Sequence, residues 1–345
     1  MPVFELGIDP RMVARLGYRS YVELFEEMDL DAVVVGSLVA YPEGAALRVP
    51  TGERHVDEWG VTHQYTAEST AIPVDYPIKS ASDAESWVAP PPFYPQEYMK
   101  KVAAVVRRYK GRRALLTHSR AVFAHSWNLL GMENYLVALI ENPGLVERLV
   151  GRIVRVNEGR ARQLAEAGLD IIYLGDDYAF KTSSLVSPQH FRRFVLPGLT
   201  RVVQAIHEGG ALCIKHSDGD LWGLMDMIVG AGVDCVGPLE PGANMDLAVV
   251  KKKYGDRVAV MGNVDIDLLS RGTPAEVAEA TLRLLRRVSP GGGHVLSSAN
   301  TIAWSVRPEN FRALVETARR YGRYPIQLSI SSPGPQPGSP GSAGG

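Results

Sequence analysis

The stretch "LCIKHSDGDLWG", residues 212 to 223, decides how the rest of the chain is read. It begins as an apolar strand and stops abruptly on His216, Ser217, Asp218 and Gly219. In extended chain, residues two apart project to the same face, so His216 and Asp218 converge on one space while Cys213 has the opposite parity. Taken alone, the stretch also reads as a turn, with Asp218-Gly219 capping the next helix and His216 a satisfied core histidine. The choice depends on whether other strands end in the same way.

Short β-branched runs recur along the chain, most of them followed by a segment of helical periodicity. They are "VFELG" (3–7), "DAVVVG" (31–36), "ALLTHS" (114–119), "DIIYLGDD" (170–177), "LCIKHSD" (212–218), "DCVGPLE" (234–240), "VAVMGNVD" (258–265) and "HVLSSAN" (294–300). Helices are expected over 142–168, 187–210, 221–232 and 273–288, several opening on Ser, Thr or Asn followed by Pro and closing on Gly. Eight strands alternating with helices predict a single (β/α)8 TIM-type barrel, because no Gly-rich dinucleotide loop follows an early strand. The barrel is expected over residues 1–326. A long insertion after the second strand, about 38–110, is rich in Pro and aromatic residues and reads as a rim or lid. Residues 327–345, "QLSISSPGPQPGSPGSAGG", close the chain on a Pro, Gly and Ser tail expected to be disordered.

Composition excludes several classes of function. The chain has 345 residues, 46% of them hydrophobic and 22% charged, enough to bury a large core. A formal net charge of −1 gives no electrostatic case for a nucleic-acid or membrane partner. Two cysteines, Cys213 and Cys235, support neither a disulfide framework nor a Cys-rich zinc site, and fit a reducing cytoplasm. No run approaches the ~20 apolar residues of a membrane span, and the first residues carry no secretory signal pattern.

In barrels of this kind the chemistry gathers at the C-terminal ends of the strands. Here those ends carry Glu5, Asp176-Asp177-Tyr178, His216 with Asp218, Glu240, Asn263 with Asp265, and Asn300. Turns alone do not require a carboxylate, amide or imidazole at nearly every rim position. Asp177 and Asp265 are also readable as helix caps.

In their order, "DAVVVGSLVAYPEG", "ENPGLVERLV", "GLDIIYLGDDYAFKTSSLVSPQHFRRFVLPGL", "KHSDG", "MGNVD" and "GGGHVLSSANTI" make residues 2 to 325 resemble the uroporphyrinogen decarboxylase-like superfamily. That superfamily holds the decarboxylase and the corrinoid-linked methyltransferases that share its barrel. The decarboxylase branch implies an N-terminal Arg-rich stretch, an Asp after the second strand and a His near the last strand. This chain has "ELGIDPRMVARLG", Ser37 and Asn300 there, and its acidic rim would repel a tetrapyrrole's carboxylates. The methyltransferase branch implies zinc held by a His-x-Cys pair and a distal Cys, positions that fall here on His216, Asp218 and, to about a residue, Asn300.

His and carboxylate ligands leave zinc a harder Lewis acid than thiolates do, suited to an ether or amine leaving group. The reading is therefore a methyltransferase that demethylates a small methoxylated or methylated substrate onto a corrinoid carried by a partner protein. His216 and Asp218 are the expected metal ligands, with Glu240 a third. Asp176, Asp177 and Asn300 are assigned to catalysis, and Glu5, Ser37, Tyr178 and Asn263 to substrate binding. Trp59, Tyr65 and Tyr76 offer an apolar wall or ordinary rim packing. Tetrapyrrole decarboxylation ranks second, and a non-catalytic binding protein on the same barrel third.

Overall fold

The computed structural model describes residues 1–67 and 71–326; the tail expected over 327–345 lies outside the described residues. Ten strands occur among them: β1 (Ala32–Val34), β2 (Arg54–Val56), β3 (Thr62–Tyr65), β4 (Ala71–Asp75), β5 (Ala114–Ser119), β6 (Ile171–Gly175), β7 (Leu212–His216), β8 (Cys235–Val236), β9 (Ala259–Met261) and β10 (His294–Val295). Seven form one sheet in the order β1-β5-β6-β7-β8-β9-β10, every neighbouring pair parallel. Sequential order with helical crossovers is what the alternating pattern dictates, since parallel neighbours need a long return connection.

The sheet curls until its two edges reach the same segment of chain. Asp31, at the head of β1, donates its backbone N–H to the Val3 carbonyl, while Leu296, beyond β10, donates to the Pro2 carbonyl, each at 3.0 Å. The fold is thus α/β with a curled parallel sheet, consistent with a TIM-type barrel. The strand expected at 3–7 is present only as isolated parallel bridges, Val3 to Leu296 and Ile8 to Ile302. A side chain interrupts the ladder: the Ser298 N–H goes to the Glu5 carboxylate, at 3.0 and 3.2 Å, rather than to a main-chain carbonyl. The Ser298 hydroxyl donates to the same carboxylate at 2.5 Å.

Helices cover the outer face. The longest, Pro143–Glu166, starts where Asn142 accepts from Leu145 N and Pro143 occupies the first turn, as the Asn-Pro signal predicts. It buries Leu145, Leu149, Ile153, Val156 and Leu164, an i, i+3, i+4 stripe. The helix Leu196–Glu208 packs against it through Gly198. A Cβ there would lie 2.3 Å from Val122 Cγ2 and 2.7 Å from Val154 Cγ2. The helix expected over 221–232 is shorter than its apolar pattern, running Met225–Gly230. Among the described residues no helix is long and apolar enough to cross a membrane.

Within residues 38–110 lies a three-stranded antiparallel sheet, β2-β3-β4, that has no counterpart among the expected strands. Its strands are exposed or half-buried, so they lack the apolar alternation that marks a core strand, and Pro73 sits on edge strand β4. The connection between β2 and β3 is tied down from below. Trp59 is buried between Trp87 and His125, with its ring centroid 4.0 Å from that of His125. Glu58 pairs with both terminal nitrogens of Arg160 at 2.5 and 2.7 Å.

Gly198→Ala should overpack the helix contact and cost about 1–3 kcal/mol in denaturant unfolding; a change below about 0.5 kcal/mol, the range of a surface substitution, would contradict the packing described. Glu5 supplies a second check. Burial raises its pKa from 4.5 to about 8, with the Ser298 bonds opposing the rise. A folded-state pKa above the unfolded one gives stability that is present below the unfolded value and lost as pH rises through the folded value. Melting temperatures should therefore show Glu5→Gln gaining on the wild type from about pH 5 to about pH 8 and holding the difference above that. Parallel profiles would show that Glu5 ionises freely.

Candidate functional site

β6 and β7 run side by side with Gly175 opposite His216, so the residues that follow each strand emerge together. Strand parity then sorts them. Positions 171, 173, 175 and 177 of one chain segment and 214, 216 and 218 of the next share the face away from the helices. Asp177, His216 and Asp218 are brought together there, each offering a ligand atom within 4.8 Å of the others.

Each member of this trio is held by a neighbour. His216 Nδ1 lies 2.9 Å from the Pro238 carbonyl, which makes Nδ1 the protonated nitrogen and leaves the Nε2 lone pair free. That Nε2 lies 3.7 Å from Asp218 Oδ1. Asn300 donates its amide to both Asp218 oxygens, at 3.0 and 2.8 Å, and its own oxygen accepts from Thr301 N, which fixes the amide's orientation. Asp177 accepts from the backbone N–H of Asp218 at 3.0 Å. Burial raises the pKa of Asp218, opposed by His216 and Asn300 and reinforced by Asp177 and Glu240. A cation or a proton relieves that charge crowding.

Glu240 stands beside the trio. Its carboxylate accepts from Gly219 N at 3.2 Å and faces Lys181 Nζ at 3.7 Å. A cavity of about 410 Å³ opens over these strand ends, lined among others by Lys181, Asp218, Glu240, Asp265, Asp267 and Asn300. Asp265 also caps the helix Ile266–Arg271, accepting from Asp267 and Leu268.

The remaining expected residues lie elsewhere. Asp176 points the opposite way from Asp177 and is fully buried; its carboxylate accepts from the N–H groups of Ala121, Val122 and Ala124, at the start of the helix Phe123–Leu130. Tyr178 is buried among Phe123 and Phe191, with the Lys215 ammonium 4.1 Å above its ring. Asn263 donates to the carbonyls of Leu239 and Met245 and so braces the loop that carries Glu240. Glu5 is committed to Ser298. Ser37, on the helix Val35–Ala40, is a hydrogen-bond partner of Tyr21. Trp59 is packed out of reach, Tyr76 lies against Gly131, and Tyr65 stacks on His55.

Three groups on the same face had no place in the sequence reading: His118 and Arg120 from β5 and its end, and Tyr173 from β6. Register pairs His118 with Tyr173, and their rings lie 4.8 Å apart. The run "ALLTHS" contained the signal, since 114, 116, 118 and 120 share one parity. No thiolate is available to this site. Cys213 and Cys235 are both buried, and desolvation pushes both thiols up, Cys235 to about 12.

A family model described as uroporphyrinogen decarboxylase (URO-D) matches residues 56–321. Uroporphyrinogen decarboxylases of Pelodictyon phaeoclathratiforme (strain DSM 5477 / BU-1) and Chlorobium phaeobacteroides (strain DSM 266 / SMG 266 / 2430) are 26% and 27% identical over 262 residues, covering 72% of this chain and 72% of each relative. Among solved structures, a methyltransferase from Methanosarcina mazei is similar with a TM-score of 0.72 at 16% identity, covering 93% of this chain and 94% of its own. At that identity the likeness speaks for the fold alone. The match over most of its length, on a sheet whose strand ends carry an imidazole and several carboxylates, places this chain in the uroporphyrinogen decarboxylase (URO-D) family as an enzyme of that superfamily.

Proposed function

We propose that this enzyme is a methyltransferase that removes a methyl group from a small methoxylated or methylated substrate and passes it to a corrinoid carried by a partner protein. The observation that carries the reading is the convergence of Asp177, His216 and Asp218 within 4.8 Å. One imidazole nitrogen with a free lone pair and two carboxylates fit zinc, whose ligands are nitrogen, oxygen or sulfur. Asp177 replaces Glu240 as the proposed third ligand, because Glu240 is turned to Gly219 and Lys181. Zinc held there would act as a Lewis acid on the oxygen or nitrogen that leaves the methyl group. The chain's own groups do the rest: Asn300 holds both oxygens of Asp218, and the Pro238 carbonyl fixes the imidazole with its Nε2 lone pair free.

The same proposal includes the architecture. Segment 3–8, bonded at both edges of the sheet, is taken as the eighth stave of a (β/α)8 barrel, and residues 38–110 as an insertion at its rim.

The second reading is decarboxylation of a tetrapyrrole, favoured by what the curated relatives are named. The cavity opposes it. Asp218, Glu240, Asp265 and Asp267 line the space against one lysine, Lys181, and such a wall repels a polycarboxylate.

Two measurements decide between these. Purified enzyme, a methoxylated aromatic or methylamine and a cob(I)alamin-loaded partner should methylate the corrinoid, read from its absorption spectrum; carbon dioxide release from uroporphyrinogen without corrinoid methylation would reverse the ranking. His216→Ala should abolish zinc binding and lower activity by at least about 100-fold while thermal unfolding stays nearly unchanged, because the ring sits at the open end of the sheet. A variant that melts early yet keeps its zinc would make His216 a packing residue.

A further inference from the structure

Arg120 stands two residues beyond His118, on the same face as the Asp177, His216 and Asp218 trio. It is half-buried, and its guanidinium donates to the Gly175 carbonyl at 3.0 Å. Among the described residues no carboxylate lies within ion-pair distance of it, whereas Arg113, at the other end of β5, and Arg160 are matched by Asp29 and Glu58. A partly desolvated guanidinium with most of its donors unused is a costly arrangement in isolation and a ready one for an anion.

The surroundings define that anion. Gly175 stands between Arg120, which bonds its carbonyl, and His216, its register partner, and the paired His118 and Tyr173 lie two residues earlier on their strands. Gly175 lets the His118 and Tyr173 rings close over it, because a Cβ there would lie 2.9 Å from His118 Nε2 and 3.4 Å from Tyr173 Cε2. Neither neighbouring imidazole adds charge. Desolvation, then the charge of Arg120, lowers the pKa of both His118 and His125. Lys215, the other nearby cation, points to the opposite face and is spent on the carbonyls of Leu174, Asp176 and His216. The subsite therefore holds one positive charge, close to two carboxylates. That matches a monoanion; a dianion such as a phosphate monoester would be repelled by Asp177 and Asp218.

We propose that Arg120 anchors a carboxylate of the methyl donor, beside the paired rings of His118 and Tyr173 and on the same face as Asp177, His216 and Asp218. This rests on the methyltransferase reading for the word donor, but the anchor itself is a binding claim and needs no corrinoid to test.

Isothermal titration of the full chain with 4-methoxybenzoate and methoxyacetate, each compared with its neutral amide, reads the anchor directly. The expected result is at least one acid binding about tenfold or more tightly than its amide, a preference that Arg120→Gln abolishes while amide binding and melting temperature stay put. No acid preference in the wild type, including no binding of any probe, overturns the proposal, as does a preference that survives in Arg120→Gln. Should that variant fail to fold, Arg120→Lys carries the test, since it keeps the charge and loses the paired donors. About a tenfold fall in acid affinity with the amide unchanged supports the anchor; undiminished acid affinity overturns it. Acid binding without any corrinoid methylation would leave the anchor standing and remove only the methyltransferase reading.

Discussion

A strand in a parallel sheet can turn a side chain only toward the helices or away from them, and this two-way choice organises the enzyme. On β6 and β7 it separates neighbours completely. Asp176, Lys215 and Ser217 face the helices, and all three are buried and bonded to main chain. Asp177, His216 and Asp218 face the other way and meet at one point. Because the strands are parallel and in register, every such face opens at the same rim, and groups distant in sequence are delivered to one cavity.

The outward set makes the inward set possible. The Asp176 carboxylate gathers three N–H groups at the start of the helix Phe123–Leu130, locking the end of β6 to the turn that follows β5. That turn carries Arg120. Asn263 braces the loop behind Glu240, and Glu5 joins the first segment to the last by taking the Ser298 N–H. Burial charges each of these polar groups a desolvation penalty that the hydrogen bonds offset.

Much of this was legible in the sequence, and parity also explains what was not. The alternation of apolar runs and helices predicted the order of all seven strands of the main sheet, and the i, i+2 spacing of His216 and Asp218 predicted their convergence. The same rule separates Asp176 from Asp177, which stand together at one strand end, and it selects His118 and Arg120, which share one parity of their run. The antiparallel sheet at 54–75 was hidden for a different reason. Its strands bury neither face, so they leave no apolar period to read. At the other end, Asn300 stands near the position where the resemblance implies a thiolate, and the structure gives it another task, holding Asp218.

The central claim is that the sheet's open face ends in a metal site made of one imidazole and two carboxylates. The measurement that bears on it most directly is a crystal of the full chain grown with zinc, with diffraction collected on both sides of the zinc absorption edge. The account predicts an anomalous peak about 2.0–2.2 Å from His216 Nε2 and from an oxygen each of Asp177 and Asp218. A zinc-saturated crystal with no peak among those three residues, or with zinc bound only elsewhere, would contradict it.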